Sequence, residues 1–232
     1  MLKALLLLLA TSISFAYAGE AEIKKALQKK VPQIGQINQV IKSPVPGLYE
    51  VITQDRLFYT DDKAQFLIDA AVYDLKNMRN ITEERSRKLF AIDFDRLPLE
   101  NAVKVVRGKG ERKMAVFSDP NCGYCKKLEQ EFLNIDNVTI YTFLYPTFQG
   151  SLEKSRAVWC SKDRVQAWND LMLLDVTPPA GNCETPIAKN MELGKKLKVN
   201  GTPALVFADG TINPGYMPAA QLEQALTAAA RP

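Results

Sequence analysis

The fold of this chain is decided by residues 113–133, which read KMAVFSDPNCGYCKKLEQEFL. The segment opens with a short apolar run that predicts a buried strand. After a polar turn it continues into a stretch where Leu128 and Phe132 are four residues apart, a spacing that forms one apolar face of a helix. Cys122 and Cys125 therefore lie where a strand passes into a helix, and a CxxC motif in that position is a specific signal for thiol redox chemistry.

Cys122 is predicted to lie at the N terminus of this helix, where unpaired backbone N–H groups and the helix dipole favour a thiolate. We therefore expect Cys122 to be the nucleophile. Cys125, one turn further on, is expected to be more buried and to resolve the mixed disulfide that Cys122 forms. Gly123 and Tyr124 complete the motif. Two alternatives remain open: half of a zinc site, which would need a second CxxC or histidines, and a purely structural disulfide.

The composition excludes several kinds of catalytic and metal site. Among 232 residues there are 30 Lys and Arg, 26 Asp and Glu, four Cys and no His. Without histidine, no Ser-His-Asp or Cys-His catalysis and no Cys2His2 zinc site is possible. Lys126 stands where a c-type haem motif needs histidine. The formal net charge of +4 is too small to suggest nucleic acid as a partner, and we expect no metal and no cofactor.

The N terminus has the pattern of a secretory signal peptide, predicted over residues 1–18. A short basic start precedes an apolar run rich in Leu and Ala, and Ala16-Tyr17-Ala18 matches the small-x-small cleavage pattern. The apolar run of about 15 residues is shorter than the roughly 20 that a membrane-spanning helix needs; an uncleaved anchor is the alternative. Export would place the four cysteines in an oxidising compartment, where disulfides persist.

The other two cysteines, Cys160 and Cys183, are predicted by elimination to form a disulfide once the CxxC is assigned to redox chemistry. They flank a region of helical pattern that includes residues 177–181, TPPAG, which cannot be helical throughout. A disulfide would staple this region and stabilise the fold by roughly 3 kcal/mol in the chain-entropy model. The alternative is that these cysteines form a second redox pair.

An α+β fold in three parts is predicted to follow the signal peptide. Residues 19–79 form a small N-terminal α+β domain, residues 80–96 a linker helix, and residues 97–232 a domain of alternating strands and helices with a helical insertion. Strands are predicted at 48–52, 57–60, 65–68, 113–117, 138–145 and 204–207, and residues 102–106 fit either a strand or a helix. A core of about 60 residues is marginal in size, so we expect the N-terminal domain to bury more apolar surface in an oligomer.

The linker helix is predicted to begin at Thr82 as its N-cap. Glu83 and Glu84 follow in the first turn, and Arg87 and Lys88 stand in the last, an order that matches the helix dipole. Because few apolar residues are present, this helix is expected to be solvated and to bridge the two domains.

Further motifs carry a resemblance to a known family. Gly201-Thr202-Pro203-Ala204 stands before a predicted strand, and together with the strand, CGYC and helix it resembles the thioredoxin fold, in which the proline after threonine is cis and lies against the CxxC. With four more stretches, the chain is similar to the DsbC-type periplasmic disulfide isomerases. These stretches are VWCSKD at 158–163, PGYMP at 214–218, YTDD at 59–62 and VYDL at 72–75.

This resemblance implies a homodimer formed through the N-terminal domains, with two thioredoxin-like catalytic domains facing an uncharged cleft. Cys122 would attack disulfides of misfolded exported proteins, and Cys125 would resolve the mixed disulfide. Thr202 and Pro203, in the cis-Pro loop, would bind the substrate through main-chain contacts. A membrane reductant of the DsbD type would keep the CGYC motif reduced in the periplasm. The chain departs from the family pattern at residues 76–100, where the linker is charged and its helix is shorter.

Three functions remain compatible with these residues. The first is a disulfide isomerase, and the second is a DsbG-like reductase or a thiol oxidase; a separate N-terminal domain argues against a monomeric oxidase. The third is a chaperone that binds unfolded chains on an apolar surface. Phe58, Phe66, Phe143 and Tyr145 are candidates for that surface, with the alternative that they are core side chains.

Overall fold

The computed structural model describes the backbone of residues 15–230 and the side chains of residues 19–230. The signal peptide predicted over residues 1–18 lies outside the residues whose side chains are described. The chain forms two compact units, and the boundary between them in the sequence lies between Leu89 and Phe90. Within the described residues, no helix is both long enough and apolar enough to cross a membrane.

The N-terminal unit combines a four-stranded antiparallel sheet with a helix that covers one of its faces. Its elements are α1 (Phe15–Lys30), β1 (Gln39–Lys42), β2 (Tyr49–Ile52), β3 (Leu57–Thr60), β4 (Leu67–Ile68), β5 (Tyr73–Asp74), β6 (Arg79–Asn80) and α2 (Ile81–Leu89). The sheet order is β1-β2-β3-β4, and β5 pairs with β6 in a separate hairpin. Ile23 and Leu27 on one face of α1 pack with Val51 and Phe58 of the sheet. The apolar side chains of the helix and those of the strands therefore bury each other.

Helix α2 is anchored to the N-terminal sheet by an ion pair between a partly exposed arginine and a buried carboxylate. The Arg85 guanidinium donates to both carboxylate oxygens of Glu50, with N–O distances of 2.7–3.1 Å. Glu50 lies on β2 and is fully buried. The hydrogen bonds that Arg85 donates to Glu50 raise the pKa of Arg85 above its ordinary value. A helix that presents almost no apolar surface is therefore held to its domain through charge.

The start of α2 differs from the sequence prediction. Asn80, rather than Thr82, provides the cap, because its side-chain oxygen accepts the Glu83 N–H at 3.0 Å. The Thr82 hydroxyl is used elsewhere: it accepts the Val72 N–H and lies 2.9 Å from the Tyr59 hydroxyl. Thr82 thus ties the helix to the β5–β6 hairpin and to β3.

The C-terminal unit is built on a five-stranded sheet with helices on both faces. Its elements are β7 (Val103–Arg107), β8 (Arg112–Ser118), α3 (Gly123–Phe132), β9 (Val138–Leu144), α4 (Ser151–Cys160), α5 (Arg164–Leu174), α6 (Ile187–Lys196), β10 (Ala204–Phe207), β11 (Ile212–Pro214) and α7 (Ala219–Ala229). The sheet order is β11-β10-β8-β9-β7; β8 and β9 are parallel and the other neighbours are antiparallel. The α+β class with a helical insertion is thereby confirmed, and the ambiguous residues 102–106 belong to strand β7.

Alternate residues of β8 point to opposite faces of this sheet, as period-two alternation requires. Met114 and Val116 pack in one cluster with side chains of α3 and α7. Ala115 and Phe117 pack in a second cluster, which includes residues of α6. A third cluster joins α4 and α5 to the two CxxC cysteines. The motif at the end of β8 is therefore supported from the sheet and from the helical insertion together.

The linker helix predicted over residues 80–96 is shorter than expected. Helix α2 ends at Leu89, and a single 3-10 turn follows around Phe94. Phe94 and Leu97 are buried in the core of the C-terminal unit. The chain leaves the helical conformation because these two apolar side chains pack as part of that unit.

Three of the four aromatic residues considered for a chaperone surface are core residues. Phe58, Phe143 and Tyr145 are at most 5% exposed, whereas Phe66 is 66% exposed. The hypothesis of a chaperone surface made of all four side chains is therefore wrong. Three of them are packed inside their own domains, which is the alternative that the sequence left open.

Replacing Arg85 by Ala is expected to lower the free energy of unfolding of the N-terminal unit by about 3 kcal/mol, because Glu50 would remain buried without its cation. Arg87→Ala is the matched control. Arg87 lies on the same helix and pairs with Glu83 at the surface, where an ion pair contributes about 0–1 kcal/mol. Hydrogen exchange of β2 and β3 measures the effect, and equal loss of protection in both variants would contradict this role of the Glu50–Arg85 pair.

Candidate active site

Cys122 is the N-cap of α3, at the point where the chain leaves β8. Its Sγ accepts the Cys125 N–H at 3.3 Å and donates to the Thr202 carbonyl oxygen at 3.3 Å. The residue is only 4% exposed. The backbone N–H at the start of a helix is a donor that favours a thiolate over a thiol. The local geometry therefore suits Cys122 to be the reactive sulfur.

Thr202 and Pro203 approach the motif from the loop before β10. The Thr202–Pro203 peptide bond is cis, and the Pro203 carbonyl accepts the Gly215 N–H at 2.8 Å. Antiparallel pairing of β10 with β8 brings this loop beside Cys122. Residues 80 positions apart in sequence are thus joined through the Cys122–Thr202 hydrogen bond.

Cys125 lies in a different environment from Cys122, although both thiols are free. It is fully buried, and burial raises the pKa of its thiol to about 12. Hydrogen bonds from the Ser118 side chain and the Asp119 backbone only partly offset that rise. Cys125 is accordingly a protonated thiol at neutral pH.

Asp119 organises the loop that precedes the motif, a role that the sequence patterns did not identify. This buried carboxylate accepts five hydrogen bonds from the surrounding loops. The donors are the N–H groups of Asn121, Thr147 and Phe148 and the hydroxyls of Thr147 and Ser151. The Asp119 carbonyl also accepts the Cys122 N–H at 3.1 Å. The available signal was the Asp119-Pro120 pair, one residue before the CxxC, since Asp is common in turns and hydrogen-bonds the backbone there.

Tyr124 stays at the surface while the cysteines around it are buried. It is 65% exposed, and its ring centroid lies 6.2 Å from that of Tyr216. Tyr216 is held from two sides, because its hydroxyl donates to the Glu131 carboxylate and the Lys127 ammonium lies 4.5 Å from its ring centroid. Gly123 has open space around its Cα. One side of the motif therefore presents aromatic rings to the solvent.

Cys160 and Cys183 form a disulfide that closes 23 positions of chain. It joins the last residue of α4 to the irregular segment between α5 and α6. Gly181 packs against it so closely that a Cβ there would lie 2.3 Å from the Cys160 Cβ. This pair is separate from the CxxC motif, and its position fits a structural staple of the insertion.

Within the part of the chain that the structure describes, no group of three or more Cys, Asp or Glu residues is arranged to hold a metal ion. The site contains instead two free thiols, their backbone donors and a cis-proline loop. Such an arrangement can exchange a dithiol for a disulfide without a bound cofactor.

Replacing Asp119 by Ala is expected to lower the free energy of unfolding of the C-terminal unit by about 2–4 kcal/mol, because several buried donors lose their acceptor at once. Asp163→Ala is the matched control, since Asp163 caps α5 through one hydrogen bond and such a cap contributes about 1 kcal/mol. Both tryptophans lie in this unit, so their fluorescence during denaturant unfolding measures the difference. A control variant that loses as much as Asp119→Ala would contradict the organising role.

Comparison with known protein families gives two matches that together cover most of the chain. Residues 99–230 match the thioredoxin-like domain. Residues 14–83 match the disulfide bond isomerase protein N-terminal domain. The two matched segments fall on either side of the boundary between the compact units.

Individual relatives are named as thiol:disulfide interchange proteins. The probable thiol:disulfide interchange protein DsbC of Bordetella parapertussis is 43% identical over 181 residues, which are 78% of this chain and 65% of that protein. The thiol:disulfide interchange protein DsbC of Escherichia coli K12 is 30% identical over 225 residues, 94% of this chain and 92% of that protein. A crystal structure of a disulfide interchange protein from Neisseria gonorrhoeae, 40% identical, covers 59% of this chain and 100% of its own with a TM-score of 0.56.

The chain thus spans 65% of the length of the Bordetella relative and nearly all of the E. coli one. The sequence similarity to the E. coli protein extends over both units. The chain therefore belongs to the DsbC family of thiol:disulfide interchange proteins, as the resemblance of its cysteine and Gly-Thr-Pro motifs predicted.

Proposed function

We propose that this protein is a periplasmic disulfide isomerase that rearranges incorrect disulfides in exported proteins through Cys122 and Cys125. The observation that carries the proposal is the contrast between the two thiols. Cys122 caps a helix N terminus and accepts a backbone N–H, whereas Cys125, one turn behind it, is fully buried and has a raised pKa. The names of the relatives support the same chemistry.

In the first step, the Cys122 thiolate attacks one sulfur of a substrate disulfide. A bond forms between Cys122 Sγ and that sulfur, the substrate S–S bond breaks, and the second substrate sulfur leaves as a thiolate. The Cys125 N–H and the dipole of α3 favour the charge on Cys122 before attack. Thr202 and Pro203, in the loop that meets Cys122, are proposed to bind the substrate backbone.

The second step decides between isomerisation and reduction. If another substrate thiolate attacks the mixed disulfide, a new substrate disulfide forms and Cys122 is released unchanged, which is isomerisation. If Cys125 attacks, the substrate is reduced and the protein becomes oxidised. Because burial keeps Cys125 protonated, the mixed disulfide persists for a time, and this favours isomerisation over immediate resolution.

A reductase of exported proteins is the second candidate function, and it uses the same site. Whenever Cys125 completes the second step, the motif must be reduced again by an external dithiol. A membrane reductant of the DsbD type is the partner that we propose for this purpose. The Cys160–Cys183 disulfide takes no part in the cycle and stabilises the insertion.

We further propose that two copies of the chain associate through their N-terminal units. Four large apolar side chains of this unit are exposed within a short stretch of sequence, and they are Phe66, Tyr73, Leu75 and Met78. Exposed apolar side chains concentrated in this way are typical of an interaction surface. The small core of the unit gives a second reason to bury them.

Scrambled ribonuclease A provides a direct test of isomerase activity. The wild-type protein in a glutathione buffer is expected to restore ribonuclease activity, whereas Cys122→Ala reduces recovery to the uncatalysed rate because no mixed disulfide forms. Cys125→Ala should keep part of the isomerisation and lose net reduction. Full recovery by Cys122→Ala would contradict the proposal.

The Cys160→Ala/Cys183→Ala variant should retain its activity per folded molecule in the same assay, and its inactivation would favour a second redox pair.

The dimer is tested by size-exclusion chromatography with light scattering on the mature chain. Leu75→Glu/Met78→Glu is expected to convert a dimer into a monomer, because two charges would have to be buried at the interface. Leu174→Glu/Val176→Glu changes exposed apolar residues of the other unit and should leave the dimer intact. A monomeric wild-type protein would contradict the proposed assembly.

A further inference from the structure

Glu129 is a buried carboxyl group that the thiol chemistry described above does not use. It lies on α3 and is 6% exposed. Its Oε1 accepts the Trp168 Nε1–H at 2.8 Å. Burial raises the pKa of Glu129 to about 7, against the opposing effects of the Trp168 hydrogen bond and the Arg107 charge. A carboxyl group in this environment exchanges its proton close to physiological pH.

The position of Glu129 on α3 relates it directly to Cys125. The two residues are four positions apart, and both belong to the buried face of the helix. Side chains at that spacing are neighbours, with Cβ atoms about 5–6 Å apart. Trp168, which holds the carboxyl group, also packs in the same apolar cluster as Cys125. The acid and the buried thiol therefore share one side of the helix and one neighbour.

The charged surroundings of Glu129 come from three elements. On α3 itself, the titratable residues three and four positions before Glu129 are Lys126 and Cys125, and the Lys126 ammonium pairs with Asp175. From α5, Trp168 contributes a neutral donor. From β7, Arg107 contributes a positive charge, and its buried Nε has no hydrogen-bond partner among the described residues. This cation stabilises the ionised carboxylate in an otherwise apolar interior, so that both protonation states remain accessible.

We propose that the Glu129 carboxylate takes up the proton of Cys125 when Cys125 resolves the mixed disulfide. The inference rests on the proposed function. In this step the Cys125 S–H proton passes to Glu129, Cys125 Sγ bonds to Cys122 Sγ, and the bond between Cys122 and the substrate sulfur breaks. The substrate leaves as a thiolate, reduced by the two electrons that the protein dithiol supplies. When an external dithiol reduces the protein, Glu129 returns the proton to Cys125.

This assignment gives the choice between isomerisation and reduction a defined pH dependence. Glu129 is ionised above about pH 7 and can then accept a proton. Below that pH Glu129 is protonated and cannot take up the Cys125 proton. Resolution should accordingly become faster as pH rises through 7, and the mixed disulfide should live longer at lower pH.

The two steps can be separated with 5,5′-dithiobis(2-nitrobenzoate) in a stopped-flow experiment on the reduced full-length mature protein at equimolar reagent. Attack by Cys122 releases the first thionitrobenzoate, and attack by Cys125 on the mixed disulfide releases the second. Glu129→Gln keeps an oxygen acceptor for Trp168 but cannot take up a proton. Its second phase is expected to be about 10²-fold slower above pH 7 and to lose its pH dependence near 7, with the first phase unchanged.

Two further variants distinguish proton uptake from a packing effect. Trp168→Phe removes a hydrogen bond that lowers the pKa of Glu129, so the midpoint of the second phase should move to higher pH. Glu153→Gln removes an exposed carboxyl group on α4 and should change neither phase. The proposal is overturned if Glu129→Gln leaves the second phase unchanged, or if it slows both phases equally. Absence of the first phase in the wild type would instead overturn the proposed function itself.

Discussion

The hydrogen bond from the Cys125 N–H to Cys122 Sγ, in the first turn of α3, is the contact on which the rest of the site depends. The chain contains no histidine, so no imidazole is available to activate a thiol. Stabilisation of the thiolate must come from backbone donors and the helix dipole. The fold keeps this helix end in place through the buried strand β8, the Asp119 loop and the loop that carries Thr202.

A single helical turn gives two identical side chains different polar contacts. Both belong to the apolar cluster that includes α4 and α5, but Cys122 is the cap and contacts backbone polar groups, whereas Cys125 is fully buried. The helical insertion is therefore more than an addition to the sheet, because its side chains create the burial that raises the Cys125 pKa. Its disulfide secures the segment that follows α5. The proposed persistence of the mixed disulfide follows from this packing.

Much of the fold could be predicted from local sequence, and the limits have physical reasons. Strands β3 and β10 have their predicted bounds because each is a compact apolar run. Strand β1, QVIK, was missed because two apolar residues give too short a pattern, and its place depends on pairing with β2. The end of α2 at Leu89 depends on tertiary packing of later residues. Asp119 and Glu129 escaped notice since only the folded chain shows which carboxylates are buried and what they bind.

The account is tested most directly by identifying which sulfur holds a substrate. The Cys125→Ala variant is mixed with a scrambled disulfide protein, quenched in acid and digested for mass spectrometry without reduction. A mixed disulfide through Cys122 is predicted, with Cys160 and Cys183 still bonded to each other. The Cys122→Ala variant should give no adduct. A substrate attached through Cys125 in that second variant, or through Cys160 or Cys183 in the first, would contradict the assignment of Cys122 as the nucleophile.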